Sequence, residues 1–167
     1  MKAKKINGKD LLIFLGGKAV ALTTDTSLSL KADTVDAATK DDGLYDNQEI
    51  GKLGWSATND SYYAVDSDAD AGKVGEELID AMLAAEPVEV IWGSPANATK
   101  EDLPDGGWTV PTDNAYKGTA IITQLDIKAT NGQKATCSLS LQGQGPLTKI
   151  GTAEASAAPS KTIPANQ

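Results

Sequence analysis

Short runs of alternating apolar and polar residues dominate the chain. In KAVALTT (residues 18–24) Val20 and Leu22 share one face, and in TSLSLKA (residues 26–32) Leu28 and Leu30 point inward while Ser27, Ser29 and Lys31 point out. This period of two predicts half-buried antiparallel strands. The longest such signal is GTAIITQLDIKATNGQKATCSLSLQG (residues 118–143), where Asn131-Gly132 between two alternating runs predicts a type I′ hairpin. Its register sets Leu125, Ile127 and Ala129 opposite Ala135, Cys137, Leu139 and Leu141, which places Cys137 on the core face as a small buried hydrophobe.

AGKVGEELIDAMLAAEP (residues 71–87) changes period. Val74, Leu78, Ile79, Met82 and Leu83 recur at helical spacing, Glu76 and Glu77 occupy the first turns, and Pro87 stops the run, so one amphipathic helix of about three turns is predicted. VEVIWG follows as a strand with Val88, Val90 and Trp92 on one face, then an irregular Pro- and Gly-rich stretch from Ser94 to Asn114. The order fits a mainly β fold: an antiparallel β-sandwich or barrel with one flanking α-helix, occupying residues 1–150 as one domain. Residues 151–167, rich in Ala, Ser and Pro, are expected to be a disordered tail.

Composition narrows the function. The chain has 167 residues, a net charge of −8, no His, and one Cys, and its fifteen basic residues are all Lys. Without Arg or clustered positive charge, sequence-specific nucleic-acid binding is disfavoured. Without His, Ser/His/Asp and Cys/His catalysis and most metal sites fall away. Lys2, Lys4 and Lys5 ahead of LLIFLGG imitate a signal peptide, but glycines end the apolar run after Leu15, so it reads as a strand of a cytoplasmic product. No run approaches the ~18–20 apolar residues that span a bilayer.

Three local features carry competing readings. Asp66, Asp68, Asp70 and Glu77 have the spacing of a calcium loop, but Ala71 stands where that loop needs Gly. The bland alternative is a solvated acidic turn whose Asp70 caps the helix. Acidic pairs such as Asp41/Asp42 and Glu101/Asp102 have general acid–base spacing and equally the look of surface turns. Trp92 reads as core, whereas Trp55 and Trp108, in glycine-flanked segments, suggest a surface for a carbohydrate, a peptide or another protein. No catalytic residue, metal site or cofactor is assigned.

TKDDGLYDNQEIGKLGWSATND (residues 39–60) reads as part of a long, half-apolar loop at 33–55. Together, NGKDLLIFLGGKAVALTTDTSLSLKAD, this segment, the short helix with VEVIWG, and the closing YKGTAIITQLDIKATNGQKATCSLSLQGQGPL resemble the major tail tube proteins of long-tailed phages, over about residues 5–150. The resemblance implies a non-enzymatic virion protein, assembled in the bacterial host cytoplasm into hexameric rings that stack as a hollow tail tube. It implies partners too: further copies of itself, tail terminator, tape-measure and distal tail or baseplate proteins, with DNA passing through the lumen without specific binding. The 33–55 loop becomes the inter-ring contact, with Asp33, Lys40, Asp41, Asp42, Leu44, Tyr45, Ile50, Leu53 and Trp55 as its candidate residues. The alternatives are the inner tube of a contractile or type VI secretion system, and a small β-sandwich binding module.

Overall fold

The apolar run LIFL forms strand β1 (Leu12–Leu15) in the computed structural model, which describes residues 3, 5–65, 72–73, 75–98, 104 and 106–151. Both faces of this strand are covered, which is why its sequence does not alternate. Ile13 and Leu15 enter a main core with Val90, Ala120, Ile122, Leu139 and Leu141, while Phe14 enters a second cluster with Ala19, Ile91 and Ala115. The other strands are β2 (Lys18–Ala19), β3 (Thr23–Asp36), β4 (Gln48–Tyr62), β5 (Val88–Gly93), β6 (Ala115–Lys128) and β7 (Thr136–Ile150). All lie in one antiparallel sheet ordered β2-β1-β5-β6-β7-β4-β3. The sheet curls until its ends meet: the Thr26 hydroxyl of β3 donates to the Leu11 carbonyl beside β1 at 3.3 Å. The expected mainly β architecture with one helix is what forms.

Helix α1 (Gly75–Leu83) sets Leu78 into the main core, with Ala81 packed against it. It ends ahead of Pro87 because Ala85 takes a φ of 54°. Met82 and Leu83, expected on the apolar face, are exposed instead, since the core-facing stripe runs through Leu78 and Ala81. Gly75 is required by packing: a Cβ there would lie 2.5 Å from the Tyr63 ring.

In the β6–β7 hairpin, Leu125 faces Leu139 and Ile127 faces Cys137, as read from the sequence. Cys137, Leu139 and Leu141 are buried, although Ile127, near the end of the ladder, is exposed. The turn differs from the expected two-residue type. Residues 129–135 connect the strands, the Gln133 N–H donates to the Thr130 carbonyl at 3.1 Å, and Gly132 has a positive φ while Asn131 does not. A type I′ turn needs positive φ at both central residues. Two further expectations are corrected. Leu22, with a φ of 53°, swings to the surface, and Leu30 is 70% exposed because β3 runs on past the body of the sheet. The acidic 66–70 segment, Val74 and the 152–167 tail lie outside the described residues.

Desolvation pushes the Cys137 thiol above its ordinary 9.0; a hydrogen bond with Ser61 opposes this and the Asp60 charge adds to it. The native state thus keeps the thiol proton to higher pH than the unfolded chain. Its contribution to stability is intact below pH 9.0 and declines as pH rises beyond it. We expect a thiol reagent at about pH 8 to leave the native protein unmodified and to label Cys137 on unfolding. Urea titrations above pH 9.0 should show a stability loss that is shallower in Cys137→Ala.

Candidate assembly arm

Strand β4 pairs with β7 from Tyr62↔Thr136 to Ser56↔Gln142, and there the two part. Beyond that fork β4 keeps only β3 as a partner, and the β3–β4 hairpin continues to Asp36↔Gln48 with residues 37–47 as its connection. At about 3.3 Å per residue, the free ribbon from Leu30 to Asp36 extends about 20 Å before the tip begins. The segment expected as a loop over 33–55 is therefore strand at both ends and irregular only at 37–47. A ribbon solvated on both sides has no buried face to impose alternation, so its sequence looks like a loop.

The register sorts the ribbon's side chains. Leu30↔Trp55 and Ala32↔Leu53 share one face, and Thr34↔Ile50 follows after a bulge in which β4 spends an extra residue between Ile50 and Leu53. Without the bulge Ile50 would turn to the other side. With it, Leu30, Ala32, Ile50 and Leu53 form one apolar face, while Lys31, Asp33, Val35 and Glu49 form a largely charged reverse. Lys31 and Asp33 meet at 3.7 Å on that reverse face, a solvated pair of little energetic weight. Gly51 sits in the bulge, where a Cβ would come within 3.1 Å of Val35 Cγ2 and 3.2 Å of the Asp33 carbonyl oxygen.

The tip is a built turn. The Ala37 N–H donates to the Asn47 carbonyl at 2.9 Å, and the Asp36 carboxylate accepts from the Ala38 N–H at 2.9 Å. The Asp42 carboxylate accepts from the Thr39 N–H, so Asp42 holds the turn together, while Lys40 and Asp41 are exposed. Gly43, with a φ of 71°, then redirects the chain so that Leu44 is fully exposed and Tyr45 nearly so. Leu44, Tyr45, Ile50 and Leu53 thus share the arm with Leu30, each largely exposed to solvent. Monomeric proteins rarely display apolar side chains so concentrated unless another surface covers them.

Trp55 behaves differently from the other arm residues. It is 5% exposed, its indole lies over Gly118 and Gly143, and its Nε1–H donates to the Gly145 carbonyl at 3.1 Å. It belongs to the arm's root, not to a surface that meets a partner. The glycines flanking Trp55 suggested a loop; the glycines that make room for it lie on β6 and β7, far away in sequence. Trp108 packs beside the Phe14 cluster and Trp92 beside the main core, so the three indoles form no common platform. Among the described residues no group of acidic or cysteine side chains could hold a metal ion, and no helix is long and apolar enough to cross a membrane.

A curled antiparallel sheet that projects an ordered, apolar-faced ribbon defines a structural building block for assembly. Residues 5–149 match the family model described as phage tail tube protein, and the chain belongs to that family. No curated protein matches it. Its fold is similar to several solved structures. A protein of the tail of an empty gene transfer agent particle, refined with C6 symmetry, shares 23% identity at a TM-score of 0.65, over 87% of this chain and 99% of that one. The SPP1 tail tube protein shares 17% at 0.59, over 90% and 81%. A chain of an extracellular contractile injection system, from its sheath/tube terminator in the extended state, shares 13% at 0.58, over 87% and 96%. The protein is a structural component of a tail tube.

Proposed function

We propose that copies of this chain close into hexameric rings that stack into the hollow tube through which a phage genome leaves, each arm reaching the neighbouring ring. The observation that carries this reading is the ribbon beyond the Ser56↔Gln142 fork, whose apolar face of Leu30, Ala32, Ile50 and Leu53 finds no cover within the protomer. Six-fold closure is favoured by the C6 symmetry of the similar gene transfer agent tail. The net charge of −8 suits a conduit for DNA: acidic groups repel phosphates within a Debye length of about 8 Å, so the polymer slides without being gripped. The role needs no catalysis. Assembly in the host cytoplasm, with terminator, tape-measure and distal tail or baseplate proteins at the tube's ends and in its lumen, completes the reading.

A second reading, the inner tube of a contractile system, is favoured by the similarity to the contractile injection system chain. Both share the same test. Negative-stain electron microscopy of the concentrated protein is expected to show hollow tubes or six-fold rings. Particles that stay single at every concentration and salt would refute it.

A further inference from the structure

We infer that Trp55 fixes the direction in which the arm leaves the body, making it the positioning residue for stacking; the inference rests on the tube reading only for its biological purpose. A two-stranded ribbon has marginal rigidity by itself and would swing about the point where it loses its third strand. That point is the fork at Ser56↔Gln142, and Trp55 is the first residue past it.

Trp55 is tied to the far side of the fork twice. Its Nε1–H reaches the Gly145 carbonyl at 3.1 Å, and its own carbonyl accepts from Gln142 Nε2 at 3.2 Å. Gly145, with a φ of 78°, lies where β7 bulges: Lys117↔Thr148 and Thr119↔Gln144 leave three β7 residues opposite Gly118. This bulge turns a strand carbonyl toward the indole in place of a ladder partner. The seat beneath the ring is cut to shape, because a Cβ on Gly143 would fall 2.3 Å from the indole and one on Gly118 2.6 Å from it. Burial alone does not demand two glycines and two bonds bridging one fork; holding an angle does.

Pulsed electron paramagnetic resonance on dilute, unassembled protein tests this. With spin labels at L44C and K128C in a C137A background, the tip-to-body distance is expected to be narrowly distributed. Trp55→Phe keeps an aromatic ring on the glycine seat but cannot donate to Gly145. Gln142→Ala removes the second tie from an exposed position. Each should broaden the distribution while circular dichroism stays native, and each should raise the minimum concentration for tube formation, by up to about tenfold for one lost bond. If Trp55→Phe does not fold, Gln142→Ala decides. Unchanged widths in the folded variants overturn the inference. A parent that never forms tubes, yet is narrow where the variants are broad, upholds the positioning role and removes only its purpose.

Discussion

Leu139→Asp abolishes the native fold at neutral pH. Leu139 is 1% exposed in the main core, flanked across its ladder by Asn59 on β4 and Leu125 on β6. A carboxylate there loses its hydration, and the donor its cross-strand register offers is neutral, the Asn59 Nδ2, which is buried without a partner. One amide N–H does not offset the several kcal/mol of desolvating an ion. The lost packing adds about 2–5 kcal/mol, the cost of Leu→Ala at such sites. Together these rival the ~5–15 kcal/mol that holds a domain of ordinary stability folded. Urea unfolding followed by circular dichroism should show no cooperative transition for the variant, or a midpoint close to zero denaturant. The sign of its pH response is diagnostic. Burial raises the introduced carboxyl's pKa in the folded state, so stability returns as pH falls and the group protonates. Unchanged unfolding would place residue 139 on the outer face, a register slip of one.

Excising the arm is expected to leave a folded protein that does not polymerise. Lys31 and Gly54 are cross-strand partners, so replacing residues 32–53 with Asn-Gly closes the hairpin by a two-residue turn. No residue in that stretch is buried, so thermal unfolding should shift little, and shortening a connection changes loop entropy only slowly. A cut at 40–53 would be a poorer test, since it removes the β4 residues that pair with β3. Assembly should suffer heavily. Leu44, Tyr45, Ile50 and Leu53 go with the arm, and full burial of each large apolar side chain is worth ~1.5–3 kcal/mol before ordering costs. Even a third of that total for the four side chains, at about 1.4 kcal/mol per tenfold, raises the concentration needed for stacking by about 30- to 700-fold. Sedimentation velocity at high concentration checks this, and tubes from the excised protein would remove the arm from the mechanism.

Where one face of an element is buried, the sequence disclosed it. Cys137, Leu139 and Leu141 alternate because β7 has one wet and one dry side, and this sets the hairpin register even though the turn differs from the one Asn131-Gly132 suggested. Strand β1 was legible as an unbroken apolar run because both its faces are covered. Legibility failed where burial depends on residues distant in the chain. Leu30 has the same pattern as Leu28, yet the fork in the sheet leaves it in solvent. The ribbon's strands were hidden by their solvation, and the apolar face emerges only once the bulge that turns Ile50 toward Leu53 is known. The inward position of Trp55 was concealed for a related reason: LQGQGPL, which ends the closing segment of the family resemblance, supplies Gln142, Gly143 and Gly145, whose purpose appears only when they surround an indole from another strand.

What the arm touches in the assembled protein is decided by a cryo-electron-microscopy reconstruction. Six-fold rings are expected, with the 37–47 tip and the face formed by Leu30, Ile50 and Leu53 buried against the adjacent ring. A tube whose arms project into solvent, with neighbouring rings joined through other surfaces, would contradict this arrangement.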